Sequence, residues 1–480
     1  MSLSKFKLMR QLLLCTLFCI AFGAPSAVAQ QATAPPQQTQ LYPLTLEEAA
    51  QLLQNHNNAI KISQAATEVA TAQKRELNAA WYPMISSSGG YFLSKNGISA
   101  QVNVGETAGE LIGELFPQLA PLASQLKGIA ISIPLLDKEI TTIDATAIWP
   151  LFTGGKRLYT SRIGKEITNS AEHLLAITQN TQMALMINTF YTLKLCHEVE
   201  QMQQENLDYI SRLMFNATRL KEEGFINKAE LLIVQVAQED AIRELESARH
   251  NTQSAASALN AILGTEVEAT PIGEYFTLEE IPSTAALQEE ILSNNSQLKL
   301  LGSQEEILHF NGKIAKSDYL PTLALYSRQS IYTNIPQNLL PRSTVGAAMQ
   351  WDIFDGLIRE SRIKQNRLQQ EQLEYTIDQT CEDLFTAAIA LRGKMEDAHY
   401  SILTLTQTLN LAQELLRERE KEFAEGLCTT TQTIEARTAL TKARTALSLA
   451  RWEYCTTLAN LLAITSNTDK FIELHNEYRK

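Results

Sequence analysis

The chain has 480 residues, 41 basic against 53 acidic, and a formal net charge of −12 at pH 7. That acidic balance argues against nucleic acid as a partner. Only 7% of the residues are aromatic, and Ala, Gln, Leu, Thr and Glu fill long tracts, a composition that suits extended helical packing better than one round core.

The first segment, residues 1–29, reads as an export signal. Lys5, Lys7 and Arg10 form a basic start, Leu12 to Ala21 a short apolar run, and Ala27-Val28-Ala29 a small-residue cleavage site. The run is too short for a membrane-spanning helix, so the mature chain is expected to begin near Gln30. Cys15 and Cys19 fall in the removed segment, and neither follows a convincing lipidation motif. Cys196, Cys381, Cys428 and Cys455 lie far apart in helical segments and read as idle thiols rather than a disulfide framework or metal site.

Residues 30–43 are a Gln/Pro/Thr linker, and beyond it the chain repeats itself. Trp149-Pro-Leu-Phe-Thr-Gly154 matches Trp351-Asp-Ile-Phe-Asp-Gly356 at an offset of 202. The same register aligns Arg157 with Arg359, Glu223-Gly224 with Glu425-Gly426, and Leu245 with Leu447. Upstream the offset is 238, laying Asn57 over Asn295 and Tyr82-Pro83 over Leu320-Pro321. The difference, 36 residues, is an insertion in the first copy between Pro83 and Trp149; the segment that carries it is residues 96–140, with an apolar stretch from Leu111 to Ile133. Repeat one is thus 44–264, a connector 265–282, repeat two 283–466, and a polar tail 467–480.

Each copy is expected to open with one helix, about Thr45 to Tyr82 and Thr284 to Tyr319, stopped at Pro83 and Pro321. Two strands follow. Ile143, Ala145, Ala147, Trp149 and Leu151 share one face, as do Val345, Ala347, Met349, Trp351 and Ile353. Tilted strands of about ten residues are long enough to cross a bilayer, although a half-buried strand in a soluble sheet shows the same alternation. Then come helices without proline from Lys156 to Glu223 and from Leu357 to Glu425, each roughly 100 Å long. Their apolar residues recur at three- and four-residue steps, the seam spacing of coiled coils. Gly224 and Gly426 suit left-handed C-caps at a tight reversal, after which shorter helices return, Asn227 to Leu263 and Thr429 to Ile464. A first helix and a return helix laid end to end match one long helix.

Four strands cannot close a barrel, and an open sheet edge is not tolerated in lipid. The barrel must therefore be shared, and three chains supply twelve strands. The expected fold is an α+β membrane protein. It consists of tandem helix-strand-strand-long helix-helix units, a shared 12-stranded trimeric β-barrel and a long coiled-coil-like α-barrel.

This order, with the junctions Trp149 to Gly155 and Trp351 to Gly356 and the turns Glu223 to Glu230 and Glu425 to Ala436, resembles the TolC-type outer-membrane efflux protein family over nearly the whole mature chain. The resemblance implies a homotrimeric exit duct in the outer membrane, extending into the periplasm. It would serve a tripartite efflux or type I secretion system, taking cargo from an inner-membrane pump through a periplasmic adaptor (membrane fusion protein). It further implies a periplasmic gate with acidic residues six positions after the first tip glycine, and six and nine after the second. Those positions hold Glu230, Gln432 and Glu435, so Gln432 departs from the acidic pattern. Phe423, three before the second glycine, lacks the hydroxyl a tyrosine would bring to the gate. Gly224 and Gly426 would be the tip turns that meet the adaptor, and Gly154, Gly155 and Gly356 the barrel-to-helix junctions. Glu230 and Glu435 equally suit ordinary acids at a helix N-terminus, favoured by its dipole.

No enzyme is expected: the seven histidines are scattered, and neither a phosphate loop nor a nucleophile constellation is present. Catalytic residues, cofactors and metal ligands are accordingly expected to be none. The rival reading is a soluble periplasmic adaptor or scaffold with long hairpins, which would carry one hairpin between compact β domains rather than two duplicated units.

Overall fold

The structure, a computed structural model, describes residues 42–95, 98–102, 131–136, 138–265, 269–335 and 341–478. The export signal, nearly all of the linker and most of the insertion lie outside the described residues. Copy one contains β1 (Tyr42–Thr45), α1 (Leu46–His56), α2 (Asn58–Ala79), β2 (Met84–Leu93), β3 (Ile98–Val102), β4 (Ile131–Leu136), β5 (Glu139–Phe152), α3 (Lys156–Glu222) and α4 (Lys228–Leu263). Copy two contains β6 (Ala269–Ile272), α5 (Thr284–Asn294), α6 (Ser296–Ser317), β7 (Thr322–Thr333), β8 (Ser343–Gln350), α7 (Ile358–Ala424) and α8 (Thr430–Ile464), and α9 (Asp469–Tyr478) follows.

The opening helix of each copy is two helices, not one. Asn57 has extended geometry (ψ 123°); its Oδ1 accepts from the Ile60 amide at 3.1 Å, and its Nδ2 donates to the Ile262 carbonyl at 2.8 Å. Asn295 repeats this with Leu298 at 3.0 Å and Ile464 at 2.7 Å. One side chain thereby starts the second helix and satisfies a carbonyl that the return helix leaves open at its C-terminus. The α4 end approaches so closely that a Cβ on Gly264, at φ 66°, would lie 2.9 Å from the His56 carbonyl. The helical periodicity continues through the break, so periodicity alone misses it.

β2, β5, β7 and β8 form one antiparallel sheet in that order. β8 ends at Gln350, short of the alternation expected to reach Ile353, because its ladder partner β7 begins only at Thr322, just after Pro321. β3 and β4 pair antiparallel inside the insertion. Two segments expected to be mere connections carry structure: β1, at the linker boundary, pairs in parallel with β6 in the connector. The polar tail is also a correction, since α9 buries Phe471 and His475, with Ile472 and Leu474 packed against the same core.

That core lies midway along α3. Phe190, Tyr191, Phe276, Tyr454 and Phe471 are fully buried or nearly so, and Tyr191, Phe276 and Phe471 meet edge to face. The Tyr454 hydroxyl accepts from the Leu278 amide at 3.0 Å, so the connector is pinned by its backbone. Burying one such ring contributes about 1.5–3 kcal/mol, which makes this waist the anchor for helices that are otherwise thinly covered. Cys455 sits here, its thiol pushed up to about 12 by burial. Cys196, Cys381, Cys428 and Cys455 are all free thiols.

Candidate functional site

Two places distinguish this fold: the junction where strands become helices, and the far end where the hairpins turn. At the junction the two copies use the same contacts. The Trp149 indole donates to the Trp81 carbonyl at 3.1 Å, as Trp351 does to Tyr319. Arg157 donates to the Leu151 carbonyl at 2.7 Å and lies 4.6 Å from the Trp81 ring centroid. Arg359 donates to the Ile353 carbonyl at 3.0 Å and lies 4.6 Å from the Tyr319 ring. The chain reverses into α3 through Gly154 and Gly155, at φ 65° and 92°, and into α7 through Gly356 and Leu357, at φ 72° and 67°. A Cβ on Gly154 would come within 2.7 Å of the Ser317 carbonyl, so α6 packs against this turn. Leu357, missed in the sequence, holds a left-handed conformation that costs a non-glycine residue about 1–2 kcal/mol. Its counterpart Gly155 was the available signal.

At the far end both hairpins turn by one scheme. The Phe225 amide donates to the Leu220 carbonyl at 2.8 Å, and Leu427 to Glu422 at 2.8 Å, around Gly224 and Gly426 at φ 83° and 73°. These are Schellman reversals, for which glycine at the left-handed position removes the Cβ penalty. Asn227 and Thr429 then cap α4 and α8.

The expected gate residues have distinct surroundings. Glu230 is half-buried, and its Oε2 accepts from the Thr430 hydroxyl at 3.3 Å, joining hairpin one to hairpin two. Gln432 completes a capping box with Thr429, whose amide donates to its Oε1 at 3.1 Å. Gln432 thus fills the role that Glu48 fills in the capping box of α1. Glu435 is exposed one turn further along. Phe423 is half-buried against the cluster of Ile210, Leu213, Ala217, Leu231 and Val234, so it acts as packing between the hairpins. The structure brings Glu230 and Phe423 into contact with the opposite hairpin, while Glu435 stands apart.

The seams differ in chemistry. Within hairpin one, Ile210, Leu213, Leu231 and Val234 make an apolar seam. Within hairpin two, Ala412, Leu416, Ala436, Leu440 and Ala443 do the same. Between the hairpins, Phe423 and Ile434 pack on the hairpin-one cluster near the tip, and further along α3 meets α8 through polar groups. Arg444 donates to Glu205 at 2.6 Å, Arg437 to Asn206 at 3.3 Å, and Arg437 lies 5.0 Å from the Tyr209 ring. Burial, and then the neighbouring Arg444, lower the Arg437 pKa. Burial, and then the Glu420 carboxylate, push the Tyr209 hydroxyl well above the ordinary tyrosine range. A cavity of about 640 Å³ opens beside this seam, lined by Tyr209, Arg212, Asn216, Glu420, Phe423 and Thr433. Repeat alignment hides these residues: Gln235 and Ile242 stand in copy one where Arg437 and Arg444 stand in copy two. Among the described residues no helix is long and apolar enough to cross a membrane.

Strands that end in an aromatic and arginine clamp, and paired helical hairpins of this length, define a channel-type outer-membrane fold. The outer membrane efflux protein family model matches residues 49–265 and 287–467, and the chain belongs to that family. It is an outer-membrane protein. A relative, the alkaline protease secretion protein AprF of Pseudomonas aeruginosa, is 21% identical over 273 residues, which is 55% of this chain and 56% of the relative. The match thus spans little more than half of that relative's length. Among solved structures, the Campylobacter jejuni CmeC outer membrane channel superposes with a TM-score of 0.71 at 14% identity, covering 95% of this chain and 97% of that one. The outer membrane protein VceC of Vibrio cholerae gives 0.70 at 13%, covering 88% and 96%. At such identities the likeness is one of fold, and the fold it shows is the expected tandem α+β unit.

Proposed function

We propose that this chain is one protomer of a homotrimeric exit duct, the passive outer-membrane conduit of a tripartite efflux or type I secretion system. The observation that carries this reading is the four-stranded sheet with two open edges, β2 and β8. In a membrane those edges must find partners, and copies of the same chain supply both. Apolar side chains lie exposed along the two outer flanks of the helical half, including Ile62, Val69 and Val236 on one and Tyr400, Leu411 and Leu415 on the other. Their joining in a ring would remove both flanks from water together.

In this reading the periplasmic tip opens by parting rigid hairpins along their polar seam, under the action of an adaptor that meets Gly224 and Gly426 and of an inner-membrane pump. Polar pairs in partial contact with water exchange for hydration at low cost, whereas the apolar seams do not. Glu435, with Glu230 behind it, supplies the acidic ring of the closed tip.

Mass measurement of the detergent-purified protein is expected to give three chains, with channel activity in planar bilayers; a monomer would overturn the proposal. Glu435→Gln is expected to reduce cation preference, and unchanged ion selectivity would remove Glu435 from the gate.

A further inference from the structure

The chain is acidic overall, yet its charge reverses where the strands end. At the C-terminal ends of α2 and α6 stand Lys74, Arg75, Lys313 and Lys316. At the N-terminal ends of α3 and α7 stand Lys156, Arg157, Arg162 and Lys165, then Arg359, Arg362, Lys364 and Arg367. The acids nearby are fewer: Glu76, Glu166, Asp318, Asp352, Asp355 and Glu360.

Lys74 and Arg75 precede the last turn of α2, and among these cations Lys316, in the last turn of α6, complements the helix dipole. Those at the starts of α3 and α7 oppose it. The first turn of α3 holds no acid at all, and the one in α7, Glu360, accepts from the Tyr319 hydroxyl at 2.7 Å. Part of the collar is already committed: Lys156 pairs with Asp318, and Arg157 and Arg359 hold the junction. Arg162 lies over the Phe310 ring, and Lys313 over the Tyr159 and Phe310 rings. Arg75, Lys316 and Arg362 are exposed, and Arg362, 62% exposed, reaches Asp318 only at 3.5 Å.

Just above this collar lie exposed aromatic residues, Trp81, Tyr82, Trp149 and Trp351. Such rings concentrate at membrane–water interfaces. At about 1.5 Å per residue, Arg75, Lys316 and Arg362 lie roughly within 6 Å of their helix ends. That is about the thickness of one headgroup layer.

We propose that this collar binds the anionic phospholipid headgroups of the periplasm-facing leaflet, so that the protein gathers negatively charged lipid around its barrel. The reading rests on the outer-membrane location and not on what the duct exports. Basic clusters immediately beside a membrane-embedded segment attract acidic lipid, an attraction that salt screens.

The test uses the purified protein in vesicles of phosphatidylcholine with phosphatidylglycerol, with one lipid or the other carrying brominated chains. Trp81, Trp149 and Trp351 beside the collar report the local lipid by quenching. At low salt, brominated phosphatidylglycerol is expected to quench several-fold more than its mole fraction predicts. The preference should weaken with rising salt and fall to near the bulk mole fraction in Arg75→Gln/Lys316→Gln/Arg362→Gln. Arg75→Lys/Arg362→Lys should retain it. Equal quenching by the two lipids, or a preference indifferent to salt in the unaltered protein, would overturn the proposal even if the triple variant failed to assemble. If the triple variant kept its lipid preference but altered the anion-to-cation permeability ratio, the collar would face the tunnel instead and the proposal would fall. Trimer mass and bilayer conductance are read separately, so a failed lipid preference leaves the duct reading standing.

Discussion

The two copies turn the chain identically and are flanked differently. Both use an asparagine at the waist, an indole-to-carbonyl bond at the strand ends and a Schellman glycine at the tip. Yet α3 of copy one has neighbours on both sides, α2 and α4 on one and α6 and α8 on the other, whereas α7 of copy two packs within the chain against α5, α6 and α8 on one side only. Where a single chain must reverse or dock, the duplicated residues were kept. Where the neighbour differs, as at Arg437 and Arg444, the copies diverged.

The strongest challenge to that equivalence is a matched pair of core truncations. Leu245 and Leu447 occupy the same repeat position and are both buried, so Leu245→Ala and Leu447→Ala should each cost about 2–5 kcal/mol. Thermal unfolding in detergent, followed by circular dichroism, should give similar losses; a cost confined to one copy would break the comparison. Next come the waist asparagines. Asn57→Ala and Asn295→Ala each remove a helix cap and leave a return-helix carbonyl unpaired, for about 2 kcal/mol by the same measurement.

A smaller effect of opposite sign sharpens one place where the copies disagree within a shared geometry. Leu357→Gly should stabilise by about 1 kcal/mol, since copy two then gains the glycine that copy one has at residue 155. A loss of stability there would mean that the exposed Leu357 side chain makes a contact with another subunit or with lipid. Smallest in stability is Arg444→Gln. Its pair with Glu205 is partly exposed, so unfolding should shift by less than about 1 kcal/mol. Bilayer conductance should nonetheless rise as the hairpins part more readily; unchanged conductance would uncouple this seam from opening.

How much of this was legible in the sequence follows from what repetition can carry. Features that occur twice were readable: the tip glycines, the junction tryptophans, and the matched Arg157 and Arg359. Features that occur once were not. Arg437 and Glu205 lie far apart in sequence and have no counterpart at the repeat offset, so neither periodicity nor alignment marks them. The helix break was hidden for another reason. Asn57 lies in a continuous apolar pattern, and only its match to Asn295 hinted at a role. α9 is hard to read from sequence because its charged residues mask Phe471 and Ile472, whose burial depends on a core assembled from both copies. At the tip, the offsets mark positions but carry nothing about their contacts. Gln432 serves its own helix, and Phe423 serves packing.

The asparagine nodes also bear on how force travels. Each hairpin pairs an unbroken rod, α3 or α7, with a member assembled from shorter lengths that meet at a hydrogen-bonded node beside the waist. A rod of that kind transmits load along its axis, while a jointed member bends at its node. A push at the periplasmic end would therefore reach the barrel through two rods per subunit, and the flexing would be spent where Asn57 and Asn295 sit.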